Sequence, residues 1–333
     1  MANIVFAICY YLCTVKLKIE CKCKMKKNDN IRVEMVRVAG NVAPLVEIDY
    51  MDKEAKEHTG FLLLDSCSTH NILFNVMENR LGELCIKGDE STCLDTTGNC
   101  KVTVRDVRFS FVMSGQQFHE DFCLSERETP YFVDDVPVIG LLGNIFLQQQ
   151  NLVVDYDEFS LHTSEVSHEN LTTSDCDFFF PMEIGLKNYG IPIVSLFQNE
   201  KEIPMMADSG ASGNMIAKQT IADCCMDHKL LDETDTISGI GGSIDTRLAI
   251  ANFSLLTLKG NDVEEISRKA KFHVLPNYVY IPKDEECDEN GEQLPPIEGT
   301  ISCSFMAREK WILDFGAKII YKRKKKDRLK EAV

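Results

Sequence analysis

The chain carries one short pattern twice, and this duplication limits its possible folds more than any other feature. Phe61–Leu73 reads FLLLDSCSTHNIL and Pro204–Ile216 reads PMMADSGASGNMI. Superposed, Asp65 falls on Asp208, Ser66 on Ser209, Asn71 on Asn214 and Ile72 on Met215. Each copy runs from an apolar stretch into an Asp-Ser pair and then into small residues. Two acidic loops, each ending a hydrophobic strand, suggest two carboxylates brought together by an internal two-fold axis. Such a pair activates a water with neither a metal nor a nucleophilic side chain.

Further landmarks repeat in the same order. Val138–Leu147 (VIGLLGNIFL) precedes Leu152–Leu161 (LVVDYDEFSL), as Ile297–Met306 (IEGTISCSFM) precedes Trp311–Ile320 (WILDFGAKII). Gly140 then lies over Gly299, Phe146 over Phe305, Asp155 over Asp314 and Tyr156 over Phe315. Between these landmarks, Thr96–Asn99 (TTGN) and Gly239–Gly242 (GIGG) follow their acidic loops at one interval, 65 to 98 and 208 to 241. Ordered landmarks at a long period, in two copies, describe a two-lobed duplication rather than a solenoid.

Composition agrees with two lobes. The 333 residues allow about two domains of roughly 150 each. A net charge of −16 argues against a nucleic-acid binder, which needs a positive face to displace phosphate counterions. The 14 Cys are scattered. Pairs such as Cys21/Cys23 and Cys224/Cys225 lack the C-x-x-C spacing of zinc modules, so no metal is expected, and thiols in a reducing compartment fit better than a disulfide framework.

The coarse reading is all-β with a few short helices. Ile31–Val38, Ala43–Tyr50, Gly60–Leu64, Lys101–Met113 and Gln117–Leu124 are rich in β-branched and aromatic residues, and Phe178–Leu186, Ile191–Gln198, Ile203–Ala207, Ser243–Leu258 and Lys269–Leu275 repeat the pattern. Helices fit at Phe74–Leu81, Gly143–Gln150, Ala217–Met226 and Ser304–Glu309. Polar Ser164–Asp175 marks the linker, giving an extension over 1–30, a first lobe over 31–165, a linker at 166–176, a second lobe over 177–322 and a basic tail at 323–333. Lys283–Gly291 reads as a charged surface insertion. Ile4–Cys13 is apolar but too short to span a bilayer, and it lacks a preceding basic residue and a cleavage site. Val15–Cys23 alternates apolar and charged residues like an edge strand; a strand, a weak anchor and a misplaced start codon are all compatible with the N-terminal stretch, and a structural or dispensable extension is the expectation. A cytoplasmic protein without a stable membrane span is the expectation, export or attachment through this segment being the alternative.

An apolar-apolar-Asp-Ser-Gly loop, a Gly-rich hairpin about 30 residues on, then apolar-apolar-Gly and a helix resemble the retropepsin/pepsin clan of aspartic peptidases. The resemblance covers Ile31–Lys322 and occurs in both halves. It implies a bilobal acid-protease fold, two barrel-like lobes with a cleft between them, and a monomer that is internally a pseudo-dimer. It further implies an endopeptidase acting on peptide or protein substrates without a cofactor, its dyad formed by Asp65 and Asp208. Close carboxylates share a proton and titrate as a pair; aspartic proteases are the standard example.

By the same resemblance, Ser66 and Ser209 lock the loops to each other's backbone. The N–H groups of Cys67 and Gly210 point at the carboxylates. The Ser68 hydroxyl donates to Asp65, which Ala211 cannot do for Asp208, so the pair should titrate higher and work nearer neutral pH. Gly239, Ile240, Gly241 and Gly242 form a flap, with Thr97 and Gly98 its weaker counterpart. Gly140 and Gly299 sit on strands behind the acidic loops, and Glu298 breaks the apolar pattern there and is expected to face solvent.

One departure stands out: Cys67 occupies a position the family fills with Gly. Its side chain crowds the cleft floor and puts a thiol beside the dyad, open to oxidation. The alternative function is therefore a pseudopeptidase that binds extended peptides in the cleft. His70 reads as a loop histidine. A Cys67/His70 nucleophile pair would leave the second acidic loop unexplained.

Overall fold

Apolar runs that alternate with turn residues fold this chain as strands almost throughout, and the same strand order is laid down twice. The structure, a computed structural model, describes residues 31–38, 41–81, 91–94, 101–125, 132–164, 176–181, 183–184, 190–224, 226, 228–239, 242–259, 262–281 and 293–324. The first half supplies β1 (Arg32–Glu34), β2 (Val36–Val38), β3 (Asn41–Met51), β4 (Glu57–Asp65), β5 (Ile72–Leu73), β6 (Ser91–Leu94), β7 (Lys101–Met113), β8 (Gln116–Ser125), β9 (Phe132–Val133), β10 (Val136–Gly143), β11 (Leu152–Asp155) and β12 (Ser160–Thr163), with helices α1 (Glu78–Leu81) and α2 (Asn144–Gln149). The second half supplies β13 (Cys176–Pro181), β14 (Glu183–Ile184), β15 (Pro192–Gln198), β16 (Lys201–Asp208), β17 (Asn214–Ala217), β18 (His228–Gly239), β19 (Gly242–Lys259), β20 (Asp262–Leu275), β21 (Gly299–Ser302), β22 (Ile312–Asp314) and β23 (Ile319–Arg323), with α3 (Lys218–Asp223) and α4 (Cys303–Glu309).

Two sheets have matching orders. The first runs β2-β3-β4-β10-β5-β8-β7-β6, with β9 added on β10; the second runs β14-β15-β16-β21-β17-β20-β19-β18. In each, the strand ending in the acidic loop pairs in parallel with a later strand, Asp65 opposite Gly143 and Asp208 opposite Ser302. Gly140 and Gly299 lie where a short strand crosses that later strand. A Cβ on Gly140 would stand 2.2 Å from the Ile72 carbonyl oxygen, and one on Gly299 would stand 2.2 Å from that of Met215. Only glycine allows this backbone approach.

A third sheet joins the halves in the order β1-β12-β11-β22-β23-β13. Its central pair is antiparallel, with Val154 opposite Leu313. Equivalent residues here stand at a fixed offset (155 to 314), so Val154 and Leu313 are symmetry mates that pair with each other. The internal two-fold axis passes between them. Flanking bonds obey it: Tyr156 N–H donates to the Trp311 carbonyl at 3.1 Å, and Phe315 N–H to that of Leu152 at 3.0 Å. One core runs through both lobes. Phe109, Phe111, Phe122 and Phe146 fill the first side, Phe253, Phe272, Trp311 and Phe315 the second, all fully buried.

The fold is thus the expected bilobal all-β one with a few short helices. Three elements differ from expectation, the first being Ile31–Val38, which is divided between β1 in the joining sheet and β2 in the first lobe's sheet. Phe178–Leu186 is not one strand: β13 ends at Pro181 in the joining sheet, while β14 begins the second lobe's sheet. Proline lacks the N–H that a continuing ladder needs. Polar His228–Gly239 (HKLLDETDTISG), not read as a strand, is β18; it pairs with β19 from His228–Ala251 to Gly239–Gly242. It lies at a sheet edge, where acidic side chains face solvent and discourage pairing with a second chain.

Candidate active site

Asp65 and Asp208 each end a buried strand, and the loops that follow meet across the two-fold axis. Ser66 Oγ donates to the Ala207 carbonyl at 2.6 Å, and Ser209 Oγ donates to the Leu64 carbonyl at 2.7 Å. Each hydroxyl also accepts the other serine's backbone N–H, both at 2.8 Å. Both serines are fully buried, so all four bonds are shielded from competing water.

Each carboxylate is held by its own loop. Asp65 Oδ1 accepts from the N–H groups of Cys67 (3.0 Å) and Ser68 (2.9 Å), and Asp208 Oδ1 from those of Gly210 (2.8 Å) and Ala211 (3.1 Å). The two carboxylates share Gly210 as a neighbour. Besides its bond to Asp208, a Cβ built on Gly210 would stand 2.6 Å from Asp65 Cγ. Asp208 is buried and Asp65 half-buried.

Behind the loops, two asparagines repeat one role. Asn71 Oδ1 accepts from Gly143 N–H at 2.9 Å and its amide donates to the Asp121 carbonyl at 3.2 Å. Asn214 Oδ1 accepts from both the N–H and the hydroxyl of Ser302, each at 3.0 Å, and its amide donates to the Lys271 carbonyl at 2.9 Å. Both brace the acidic loop against flanking strands. Their alignment in the duplicated motif was the available signal, although it assigned them no role.

Some expected contacts are corrected. The Ser68 hydroxyl does not reach Asp65; it donates to the His70 carbonyl at 2.7 Å, and only the Ser68 backbone N–H serves Asp65. The two carboxylates therefore receive matching N–H pairs, and the presence of Ser68 against Ala211 gives no ground for a higher-titrating dyad. Glu298 is half-buried rather than solvent-facing, and burial raises its carboxyl pKa. His70 is exposed, its Nδ1 2.8 Å from Thr69 Oγ1.

Cys67 is Gly210's counterpart. Its side chain, 9 % exposed, packs with Ile191, Ile193, Met206 and Ile297 of the second lobe. Burial, then the charges of Asp208 and Asp65, push its pKa well up, so the group stays a protonated thiol rather than the oxidation-prone thiolate. Cys303, after the strand opposite Asp208, is pushed up to about 12 by burial and by Asp208. None of Cys67, Cys123, Cys224 and Cys303 forms a disulfide.

The second-lobe hairpin reaches Gly239 paired with Gly242, while Ile240 and Gly241 at its tip lie outside the described residues. Thr97 and Gly98 also lie outside them, between β6 and β7, whose last pair is Leu94–Lys101. The expected extension 1–30, linker residues 166–175, the insertion Lys283–Gly291 and all but the first two residues of the tail 323–333 likewise fall outside. Among the described residues, no cluster of three or more His, Cys, Asp or Glu is placed to hold a metal ion, and no helix is long and apolar enough to cross a membrane. No family model matches the chain, and no curated protein matches it.

Proposed function

We propose that the chain is an aspartic endopeptidase carrying both catalytic lobes in one polypeptide. It hydrolyses peptide bonds in a peptide or protein substrate through a water activated by Asp65 and Asp208. The observation that carries this reading is the reciprocal exchange of Ser66 and Ser209 across the two-fold axis, at 2.6 to 2.8 Å. It fixes two Asp-bearing loops against each other with the preorganisation that acid–base chemistry requires.

The carboxylates share one proton because two adjacent charges cannot both persist. The ionised partner takes a proton from the bound water while the neutral one polarises the scissile carbonyl. The roles exchange when the leaving amine is protonated. This chemistry calls for no cofactor. The hairpin β18–β19 acts as a lid that excludes water from the bound substrate. Both halves of the dyad lie in one chain, so a monomer suffices, and the cytoplasm is the proposed site of action.

Cys67 favours a second reading. Its counterpart Gly210 tolerates no Cβ without a clash with the opposite carboxylate, and Cys67 brings a whole side chain to that place. A pseudopeptidase would keep the cleft and bind extended peptides by strand-like pairing. A diverse peptide pool, incubated from about pH 3.5 to about pH 7.5 with wild type and with Asp208→Asn, separates the two. Cleavage by wild type alone establishes the peptidase. Absence of cleavage by either folded protein, with cleavage gained on Cys67→Gly, establishes the impaired form.

A further inference from the structure

His273 is a buried imidazole outside the dyad, and three elements of the second lobe converge on it. It lies on β20, between Met215 of β17 and Leu248 of β19. Its Nε2 packs on the acidic loop: a Cβ on Gly213 would stand 2.6 Å from that nitrogen. Its Nδ1 is 2.9 Å from Thr246 Oγ1. Thr246 in turn donates to the Asp235 carbonyl at 3.1 Å and pairs with Asp235 across β18 and β19. The ring thus bridges the Asp208 loop and the outer strand of the lid hairpin. In the first lobe, Cys123 occupies the matching place beside Ile72.

We propose that His273 is a positioning residue that couples lid strand β18 to the Asp208 loop, with its proton setting the strength of the coupling. The names lid and catalytic loop rest on the peptidase reading; the coupling and its test do not. Thr246 has one hydroxyl proton, which goes to the Asp235 carbonyl, so Thr246 accepts from Nδ1–H. Neutral His273 then leaves Nε2 without a proton, 3.9 Å from Asp235 Oδ2. The other Asp235 oxygen accepts from Thr236 N–H at 2.9 Å. A proton on Nε2 turns this near-contact into a charge-assisted bond and draws β18 toward the loop.

Two charges bear on the ring. Asp235, from β18, favours the protonated form; Lys271, on the same strand as His273, opposes it. From the acidic loop the backbone of Gly213 faces the ring, and β17 and β19 contribute Met215, Leu248 and Thr246. Burial is the largest influence and lowers the pKa, so closure strengthens on the acid side of the ordinary histidine range.

The test is amide hydrogen exchange of 228–239 in the full chain between about pH 5 and about pH 8, corrected for intrinsic rates. Wild-type protection is expected to rise about threefold to tenfold toward the acid end, as one charge-assisted bond in a half-exposed setting allows. Asp235→Asn and His273→Gln should each abolish that rise. Asp235→Asn carries the test if His273→Gln fails to fold. Equal pH dependence in wild type and Asp235→Asn overturns the proposal. Absence of peptide cleavage bears on the peptidase reading alone, because exchange needs no substrate.

Discussion

Gly210 and Asp65 meet across the two-fold axis so closely that a Cβ on the glycine would stand 2.6 Å from the carboxyl carbon. The counterpart relationship, Cys67 against Asp208, contains a real side chain. The two-fold therefore governs the backbone of the site but not its contents. The Cys67 side chain packs in the apolar cluster of Ile191, Ile193, Met206 and Ile297.

Gly210→Ala should lower kcat/KM by about 100-fold or more, because it displaces the Asp65 carboxylate from its reacting position. Thermal unfolding of the variant should stay close to wild type, since the added methyl meets a side chain. Steady-state kinetics with a cleaved peptide check the first point and a melting curve the second. Undiminished turnover would mean that Asp65 need not hold this position.

Ser66→Ala and Ser209→Ala should each destabilise the folded chain by about 2–4 kcal/mol. Each removes one hydroxyl and strands a buried carbonyl and a buried N–H. Because the two hydroxyls serve each other's backbone, the double variant should lose less than the sum of the singles, by about 1 kcal/mol. Urea denaturation of the set measures this directly, and strict additivity would show that the exchange is not a unit.

Asp155 and Asp314 are symmetry mates with opposite titration. Burial pushes Asp155 up, but His162, the Glu158 N–H and Arg323 outweigh it and the net shift is down; Arg323 stands 2.6 Å away and His162 3.7 Å. Asp314 has Ser164 Oγ and Ala317 N–H, each at 2.8 Å, and burial wins, so its pKa is raised. The Asp155 carboxylate in turn raises His162. Stability from Asp155 is present above its unfolded value of about 3.9 and is lost as pH falls through the lower folded value. Stability from His162 is complete below about 6.5 and is lost as pH rises through its higher folded value. Asp314 also loses its contribution as pH rises, through a folded value above its unfolded one. Urea midpoints should accordingly decline above about pH 6.5, and His162→Asn should flatten that decline. An unchanged slope in the variant would remove His162 as its source.

Fold and loop geometry were legible wherever backbone chemistry dictated the residue. Gly140 and Gly299 tolerate no side chain, Ser66 and Ser209 exchange hydroxyls, and the Asp-Ser pairs end buried strands, so each left the same letter in both halves. The Ser68 hydroxyl was misread because Oγ can turn either to its own carboxylate or to the His70 carbonyl, a choice of rotamer that spacing does not encode. Strand β18 escaped notice because an exposed edge strand carries no apolar alternation; pairing with β19 holds it extended. His273 gave no signal, since its partners Gly213, Thr246 and Asp235 lie far apart in the chain and meet only through sheet register.

The joining sheet also sets a timetable for synthesis. When the first lobe has emerged, β1, β12 and β11 form a three-stranded ribbon whose Val154 edge has no neighbour, and residues 312–323 that complete it are made later. At ordinary translation speed this open edge persists for on the order of ten seconds. For that interval the nascent chain presents an apolar strand able to pair with any other extended segment. Closure of the molecule therefore waits for residues 312–323, and the two acidic loops are aligned only then.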